Sequence, residues 1–212
     1  MKGTWPLVRL ILRRDRVIMP LWVVFLALVP VSYIATIDGL FPTAAEKAQY
    51  AATSSTNAGF VALYGQLFGS SLGELVAWRA GFLPVMVGLA VILTVIRHTR
   101  AEEEAGRREL VGSTVVGRHA GLAAALVAVC GASLVMGLLL AAAMAGQGLP
   151  GAGSFAFGLQ LAATGWVFAG IAAVAAQLTT GSGAARGIAM TVLGVAYVLR
   201  VVGDISGITA GP

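Results

Sequence analysis

Apolar residues are gathered into five long runs along the chain. A helix rises about 1.5 Å per residue, so roughly 20 residues cross a hydrocarbon core of about 30 Å. Three runs reach that length. The other two reach it only with flanking residues, which brings Arg79 or Arg200 near the membrane interface, and either side chain can extend to water there. The pattern predicts an all-α integral membrane protein with about five spanning helices. The runs cover residues 17–37, 80–96, 120–145, 155–178 and 188–202.

Composition supports a membrane location and excludes several alternatives. The chain is 58% hydrophobic and only 11% charged, whereas soluble proteins average roughly 25% charged residues. Its net charge of +5 does not indicate a nucleic-acid partner, because the basic residues flank the apolar runs instead of forming a patch. Cys130 is the sole cysteine, so an intrachain disulfide is impossible.

The distribution of lysine and arginine predicts the orientation in the plasma membrane. Eleven of the 14 basic residues lie before the first run, between the second and third, or between the fourth and fifth. Because basic residues are enriched on the cytoplasmic side, we expect a multi-pass protein with a cytoplasmic N-terminus. Five spans would leave the C-terminus outside. We therefore expect residues 1–212 to be one transmembrane domain within a longer chain that has at least one further span.

The segment 2–16 has the pattern of an amphipathic helix lying along the membrane interface. An apolar face and a basic face alternate at helical spacing, which favours contact with lipid headgroups or with a cytoplasmic partner. A plain basic flank that only sets topology is the alternative. The apolar face comprises Trp5, Val8, Ile11 and Leu12, and the basic face comprises Lys2, Arg9, Arg13 and Arg16.

The segment 38–79 should form a long outer loop that contains short helices. Thr43 and Glu46 match a capping box, which predicts a helix of roughly ten residues ending near 53–57. Residues 60–78 are apolar and glycine-containing, as expected for short helices on the membrane surface. A cap over an exit path and a structural lid between spans are both compatible with this pattern.

Small residues recur every three or four positions in the fourth run. Such a row lets a second helix approach closely, which is how spanning helices associate in lipid. We expect it to be a packing surface and not a substrate path. The row comprises Gly158, Ala162, Gly165, Ala169 and Ala173.

Motifs for common catalytic chemistry are missing from the sequence. A P-loop needs a lysine after a glycine-rich turn, and neither Lys2 nor Lys47 has that context. His98 and His119 do not form a zinc-protease motif. The apolar runs contain no carboxylate, which argues against proton-coupled transport. We predict no catalytic residue, metal site or cofactor in this chain.

A few polar residues within or near the spans are candidates for a substrate path. Hydrogen bonding between helices is the alternative role for each of them. The candidates are Tyr33, Gln160, Thr164 and Tyr197.

The segment 97–119 concentrates charge of both signs. It holds nine of the 23 charged residues of the chain. Topology explains its arginines but not its four glutamates. Opposite charges four residues apart predict a short exposed helix that docks on a cytoplasmic protein, with a solvated loop as the alternative. The predicted pairs are Glu103 with Arg107, Glu104 with Arg108, and Arg100 with Glu104.

Within this segment the run T-R-x-E-E-E-x-G-R-x-E-L, from Thr99 to Leu110, resembles the first cytoplasmic loop of ABC-2-type permeases. The resemblance is strongest to the actinobacterial branch that exports polyketide antibiotics or multiple drugs. Val116 and Arg118 match the continuation of the family motif, whereas Val115 stands where proline is usual. The motif covers about 20 residues, and the order of spans and loops matches over the whole chain.

The resemblance implies the transmembrane fold of ABC-2 (G-type) exporters and an ATP-driven function. In that family a dimer of separate ATPase subunits binds ATP and Mg, two permease halves come from one chain or a homodimer, and the substrate is an amphiphilic or hydrophobic drug-like compound. The loop would hold a coupling helix that docks on the ATPase, and segment 2–16 would be the connecting helix with Arg9 and Arg13. A membrane scaffold that recruits a partner without transport is the alternative. The residues implied to face the ATPase are Glu103, Glu104, Gly106, Arg107 and Glu109.

Overall fold

The computed structural model describes residues 4–104 and 119–209. Over these residues the chain is helical, with no strand. Five stretches are long and apolar enough to cross a membrane, so the prediction of an all-α membrane protein is confirmed. The helices are α1 (Thr4–Arg14), α2 (Ile18–Leu40), α3 (Ala44–Ser55), α4 (Ala58–Tyr64), α5 (Leu72–Arg79), α6 (Leu83–Arg97), α7 (Arg100–Glu104), α8 (Ala120–Gly146), α9 (Gly151–Leu178) and α10 (Ser182–Thr209).

Helices α8 and α9 form the central antiparallel pair, and glycines set their separation. A Cβ on Gly137 would lie 2.3 Å from the carbonyl oxygen of Gly158, and a Cβ on Gly158 would lie 2.2 Å from that of Gly137. The two backbones touch here because neither residue has a side chain. All five members of the predicted small-residue row on α9 are buried, so the prediction of a packing surface is confirmed.

The other spans surround this pair. Helix α6 packs against both α9 and α10, and α2 packs against α8 and α5. At Gly88 of α6, an added Cβ would lie 2.9 Å from the Leu193 side chain of α10 and 3.0 Å from the Phe168 side chain of α9. Gly88 therefore marks the point where α6, α9 and α10 meet.

Helix α1 packs against α8 through part of its predicted apolar face. Val8 and Ile11 are buried in the bundle, whereas Trp5 is 60% exposed and Leu12 is 45% exposed, so these two remain on the side for which the sequence predicted contact with lipid. The buried row continues at the spacing of one helical face to Asp15, which is 1% exposed. The orientation of α1 is therefore determined as much by this buried carboxylate as by its apolar residues.

Two carboxylates lie within the long helices but beyond the apolar runs, which themselves contain none. Helix α2 continues to Leu40 and α10 to Thr209, so the helices extend beyond the apolar runs and include Asp38 and Asp204. Each is tolerated there because it has a basic partner. Lys47 Nζ lies 2.8 Å from Asp38, and Arg200 Nε lies 3.3 Å from Asp204.

Between α2 and α6 the three short helices α3–α5 lie at the opposite end of the bundle from α1 and α7. The predicted capping box of Thr43 and Glu46 is present and starts the 12-residue α3. A second capping box, formed by Ser71 and Glu74, starts α5. Trp78 makes edge-to-face contacts with aromatic rings of α3 and α4, and these contacts join the short helices into one unit.

Candidate functional site

The α1/α7 end of the bundle is organised around the buried carboxylate of Asp15. This residue occupies the short link between α1 and α2. Its Oδ2 lies 2.6 Å from Nε2 of His98, and its Oδ1 forms an ion pair with Arg97. Burial of a carboxylate is costly unless it is paired and hydrogen-bonded, and both conditions are met here. The link between α1 and α2 is thereby fixed to the end of α6, where Arg97 and His98 lie.

The short helix α7 is held by further ion pairs at the same end. Arg14, the last residue of α1, pairs with Glu102. Arg100 pairs with Glu103 and not with Glu104, so the predicted pair of Arg100 and Glu104 is wrong. The physical reason is that Arg100 also donates to the carbonyl oxygen of Ala176, near the end of α9.

Glu104 connects α7 to the last span. Its Oε1 accepts a hydrogen bond of 2.7 Å from the backbone N–H of Ser182, and its Oε2 accepts one from the Ser182 hydroxyl. A carboxylate is favoured at this position because the first N–H groups of a helix have no partner within the helix. The side chain of Glu104 therefore serves as the N-terminal anchor of α10.

The α1/α7 end thus forms a charged junction, defined by Arg14, Asp15, Arg97, His98, Arg100, Glu102, Glu103, Glu104 and Ser182. Its contacts join α1, α6, α7, α9 and α10, and its buried carboxylate, Asp15, lies in the link that leads into α2. A displacement of α7 at this junction would disturb its side-chain contacts with α1, α9 and α10.

The predicted coupling residues fall into two groups. Glu103 and Glu104 lie on α7, at the charged junction. The other three, Gly106, Arg107 and Glu109, lie outside the residues that the structure describes. The same holds for Arg108 and Val115, so the predicted pairs of Glu103 with Arg107 and of Glu104 with Arg108 stay predictions.

The predicted connecting-helix residues Arg9 and Arg13 are exposed on α1. The guanidinium carbon of Arg9 lies 5.8 Å from the centre of the Trp5 ring, within the distance of a cation–π contact. Their exposure leaves both arginines accessible to lipid headgroups or to a partner protein.

The four candidates for a substrate path are not brought together into one site. Thr164 donates to the carbonyl oxygen of Gln160 on its own helix, at 3.0 Å. Tyr197 donates to the carbonyl oxygen of Ala62, at 3.2 Å. Tyr33 is half-buried against the core, and Gln160 is exposed and lines a groove beside α5. Tyr197 and Thr164 thus serve as structural hydrogen-bond donors.

At the α3–α5 end, Arg200 anchors the C-terminal half of α10. Its Nη2 donates to the carbonyl oxygen of Ala62 at 2.7 Å, and its Nη1 donates to that of Gly81 at 3.3 Å. Ala62 lies in the last turn of α4 and Gly81 follows the end of α5, where C-terminal carbonyls lack partners within a helix. The sequence predicted that this arginine could extend to water, whereas it connects α10 to α4 and to the start of α6.

Sequence reasoning missed Asp15, His98 and Ser182 as members of the charged junction. For Asp15 a signal was present, because it is the one acidic residue before Asp38 and stands among four nearby arginines. For Ser182 the signal was weaker, since a serine before a helix usually caps it with its own side chain. Its partner is 78 residues away, so spacing alone could not have indicated it.

Among the described residues, no group of three or more His, Cys, Asp or Glu side chains could hold a metal ion. The chemistry of the charged junction is therefore that of ion pairing and hydrogen bonding.

The fold and the charged junction define a multi-pass, all-α membrane protein with a charged segment between its second and third spans. No protein-family model matches the chain. Among curated proteins it is similar to the multidrug efflux system permease protein Rv1217c of Mycobacterium tuberculosis, with 48% identity over 204 residues. The match covers 95% of this chain and 37% of that permease, so the chain spans little more than a third of the length of its relative. The predicted resemblance to a multidrug exporter permease is confirmed by this similarity.

Proposed function

We propose that the chain is part of the membrane-spanning permease of an ATP-driven drug exporter. In this function the α1/α7 end is cytoplasmic and contacts a dimer of separate ATPase subunits, which bind ATP and Mg. The exported compounds are amphiphilic or hydrophobic, and the second permease half comes from the same chain or from a second copy. The M. tuberculosis relative is a multidrug efflux permease, which supports drug efflux as the activity.

The observation that carries the proposal is the charged junction. Helix α7 belongs to the segment whose sequence resembles the ATPase-docking loop of ABC-2 permeases, and it is bound to α1 through Arg14 and to α10 through Glu104. A push on α7 by an ATPase would therefore be passed to an interfacial helix and to a span. Alternating access needs such a connection between the site of ATP hydrolysis and the spans.

The test is export by the complete permease reconstituted with its ATPase in proteoliposomes. ATP-driven movement of a fluorescent amphiphile such as Hoechst 33342 is measured beside drug-stimulated ATP hydrolysis. We expect both activities, and we expect both to be lost with an ATPase that cannot hydrolyse ATP. Binding of the ATPase without export would overturn the exporter proposal and would favour a scaffold.

A charge swap tests the role of the junction. Arg14→Glu should lower drug-stimulated hydrolysis several-fold, because the partner of Arg14 is Glu102 and like charges repel. Adding Glu102→Arg should restore part of the loss. The exposed neighbour Arg16 provides the control, since Arg16→Glu changes the net charge equally without facing Glu102 across this ion pair. Equal effects of Arg14→Glu and Arg16→Glu would contradict a specific role for the junction.

A further inference from the structure

A groove of about 450 Å³ lies at the α3–α5 end of the bundle. Its walls are the loop 65–69, helix α5, the first half of α9 and the C-terminal part of α10. We call it the α5/α10 groove and define it by Gln66, Phe68, Glu74, Gln160, Arg200 and Asp204. Its volume lies within the range of about 300–1,000 Å³ that is usual for small-molecule sites.

The wall formed by the loop is fixed in place at three points. Trp78 Nε1 donates to the carbonyl oxygen of Gly65 at 2.8 Å, and Gln66 Nε2 donates to that of Asp204 at 3.1 Å. Gly65 has φ +97°, a conformation that favours glycine. Gly69 lies against the carboxylate of Glu74, where a Cβ would be 2.2 Å from Oε2. The groove is therefore built by specific contacts between the loop, α5 and α10.

The charge of the groove is negative. Of the described residues that line it, two are acidic, Glu74 and Asp204, and one is basic, Arg200. The guanidinium of Arg200 is already directed at two carbonyl oxygens, and its Nε lies 3.3 Å from Asp204. The charges of Arg200 and Asp204 offset each other, so the carboxylate of Glu74 gives the groove its net negative charge. Hydrogen bonds from the Ser71 hydroxyl and backbone N–H lower the pKa of Glu74, so it is ionised near neutral pH.

The uncharged lining of the groove is aromatic and amide-bearing. Phe68 is 89% exposed at the rim, and Trp78 and Phe157 contribute further rings. The ring of Tyr64 also lines the groove, but the guanidinium carbon of Arg79 already lies 4.8 Å from its centre. Aromatic faces attract organic cations as well as apolar groups. The amides of Gln66 and Gln160 add hydrogen-bonding groups without charge. A carboxylate next to aromatic rings is the combination that recognises a lipophilic cation.

We propose that the α5/α10 groove binds an organic cation with an apolar body, and that exported compounds of this class pass through it at the face opposite the ATPase. This inference rests on the proposed exporter function for the direction of passage, but the binding site itself can be tested without transport. A choline headgroup shares the same chemistry, so the test must separate lipid from drug.

The experiment measures binding of radiolabelled tetraphenylphosphonium to the complete permease with its ATPase. The complex is placed in nanodiscs of phosphatidylglycerol, whose headgroup carries no cation, and empty nanodiscs give the background. Triphenylphosphine oxide, which is neutral and has a similar apolar body, is measured in parallel. Addition of choline-headgroup lipid then shows whether lipid competes for the groove. Competition that removes all phosphonium binding would assign the groove to lipid and would overturn the drug site.

The variant Glu74→Gln removes the charge and keeps the capping box, because glutamine also serves at that position. We expect it to weaken phosphonium binding by roughly fivefold, as for an exposed charge pair, and to leave phosphine oxide binding unchanged. The matched control is Glu46→Gln, which removes the charge of the other capping box, on α3 and outside this groove. An equal change with both variants, or no change with Glu74→Gln, would overturn the proposal.

Phe68→Ala separates the aromatic rim from the charge. We expect it to weaken binding of both probes, with the larger loss for the phosphonium because of the cation–π term. Unchanged binding of both probes would overturn the assignment of the rim. A complex that binds phosphonium through Glu74 but exports nothing under ATP would refute the exporter proposal while supporting the site.

Discussion

Helices α9 and α10 have the same length, 28 residues, but are held in the bundle in different ways. The glycines of α9 at 158 and 165 lie so close to α8 that an added Cβ would overlap it. On α10, an added Cβ at Gly187 or Gly194 would meet nothing within 4 Å. The comparison teaches that glycines bring a span close to its neighbour only on the face that another helix covers, as α8 covers Gly158 and Gly165.

Helix α10 is held instead by a narrow apolar row and by polar contacts towards its two ends. The buried row comprises Ala185, Ala189 and Leu193. Glu104 anchors its N-terminus at the α1/α7 end, and Arg200 anchors its C-terminal half at the α3–α5 end. Central packing makes α9 the fixed element of the bundle. Because α10 is anchored towards its ends, we expect its position to change when the charged junction or the short helices move.

The largest effect should come from filling the contact between α8 and α9. Gly158→Leu would force a side chain into the Gly137 backbone, and we expect destabilisation of about 3 kcal/mol or more, the upper end of overpacking effects. Thermal unfolding of the purified protein, followed by tryptophan fluorescence, measures the loss. Gly170→Leu on the same helix is the control, because a Cβ there would meet nothing within 4 Å. Similar melting temperatures for both variants would refute the inference that the close contact with α8 at Gly158 holds α9 in the bundle.

Removal of the Arg200 contacts, which anchor α10 at the α3–α5 end, should have a moderate effect on stability. Arg200→Ala leaves the carbonyl oxygens of Ala62 and Gly81 without this donor, which should cost about 2 kcal/mol. Hydrogen exchange should accelerate in peptides of α4 and the C-terminal half of α10, with α9 unchanged. Arg16→Ala removes an exposed arginine at the other end and serves as the control. Faster exchange in α9 would show that α10 is not held independently of the central pair.

The spans were predictable because a membrane imposes one simple requirement, a long apolar helix. All five apolar runs form helices, and the capping box at Thr43 correctly predicted the residue at which α3 starts. The small-residue row on α9 was predicted because its physical cause, close backbone approach, is expressed in the sequence of that one helix.

The charged junction was predictable only in part, because its contacts join residues far apart in the chain. The concentration of charge in 97–119 indicated a functional segment, but the partners Asp15 and Ser182 lie 83 and 78 residues from His98 and Glu104. A rule for pairs within one helix gave Arg100 with Glu104, whereas Glu104 binds Ser182 of α10, and Arg100 contacts Ala176 of α9 as well as Glu103 of its own helix. Long-range ion pairs need the fold before they can be named.

A smaller effect should follow from weakening the contact of Glu104 with Ser182, which anchors α10 at the α1/α7 end. Glu104→Gln keeps an oxygen that can accept from Ser182 N–H but removes the charge that strengthens the bond at a helix N-terminus. We expect faster hydrogen exchange confined to the first turn of α10. The control is Glu103→Gln on the same helix, since Glu103 pairs with Arg100 instead. If the two variants accelerate exchange equally in that turn, Glu104 is not its specific anchor.

The smallest effect should be a dependence on acidic pH at the α3–α5 end. Hydrogen bonds from Ser71 lower the pKa of Glu74, and hydrogen bonds from Thr43 lower the pKa of Glu46. A carboxyl group with a lowered folded pKa stabilises the protein fully above its unfolded pKa of about 4.3, and this contribution is lost as the pH falls through the folded pKa. The melting temperature should therefore fall below about pH 4.3, and less so in the double variant Glu46→Gln, Glu74→Gln. Both carboxylates are exposed, so the effect is small. Helix α9 has no part in these caps. Gly158→Leu should therefore lower the melting temperature by the same amount at pH 6 and at pH 3.5. An unequal effect would mean that the packing of α9 against α8 depends on the polar contacts at the α3–α5 end.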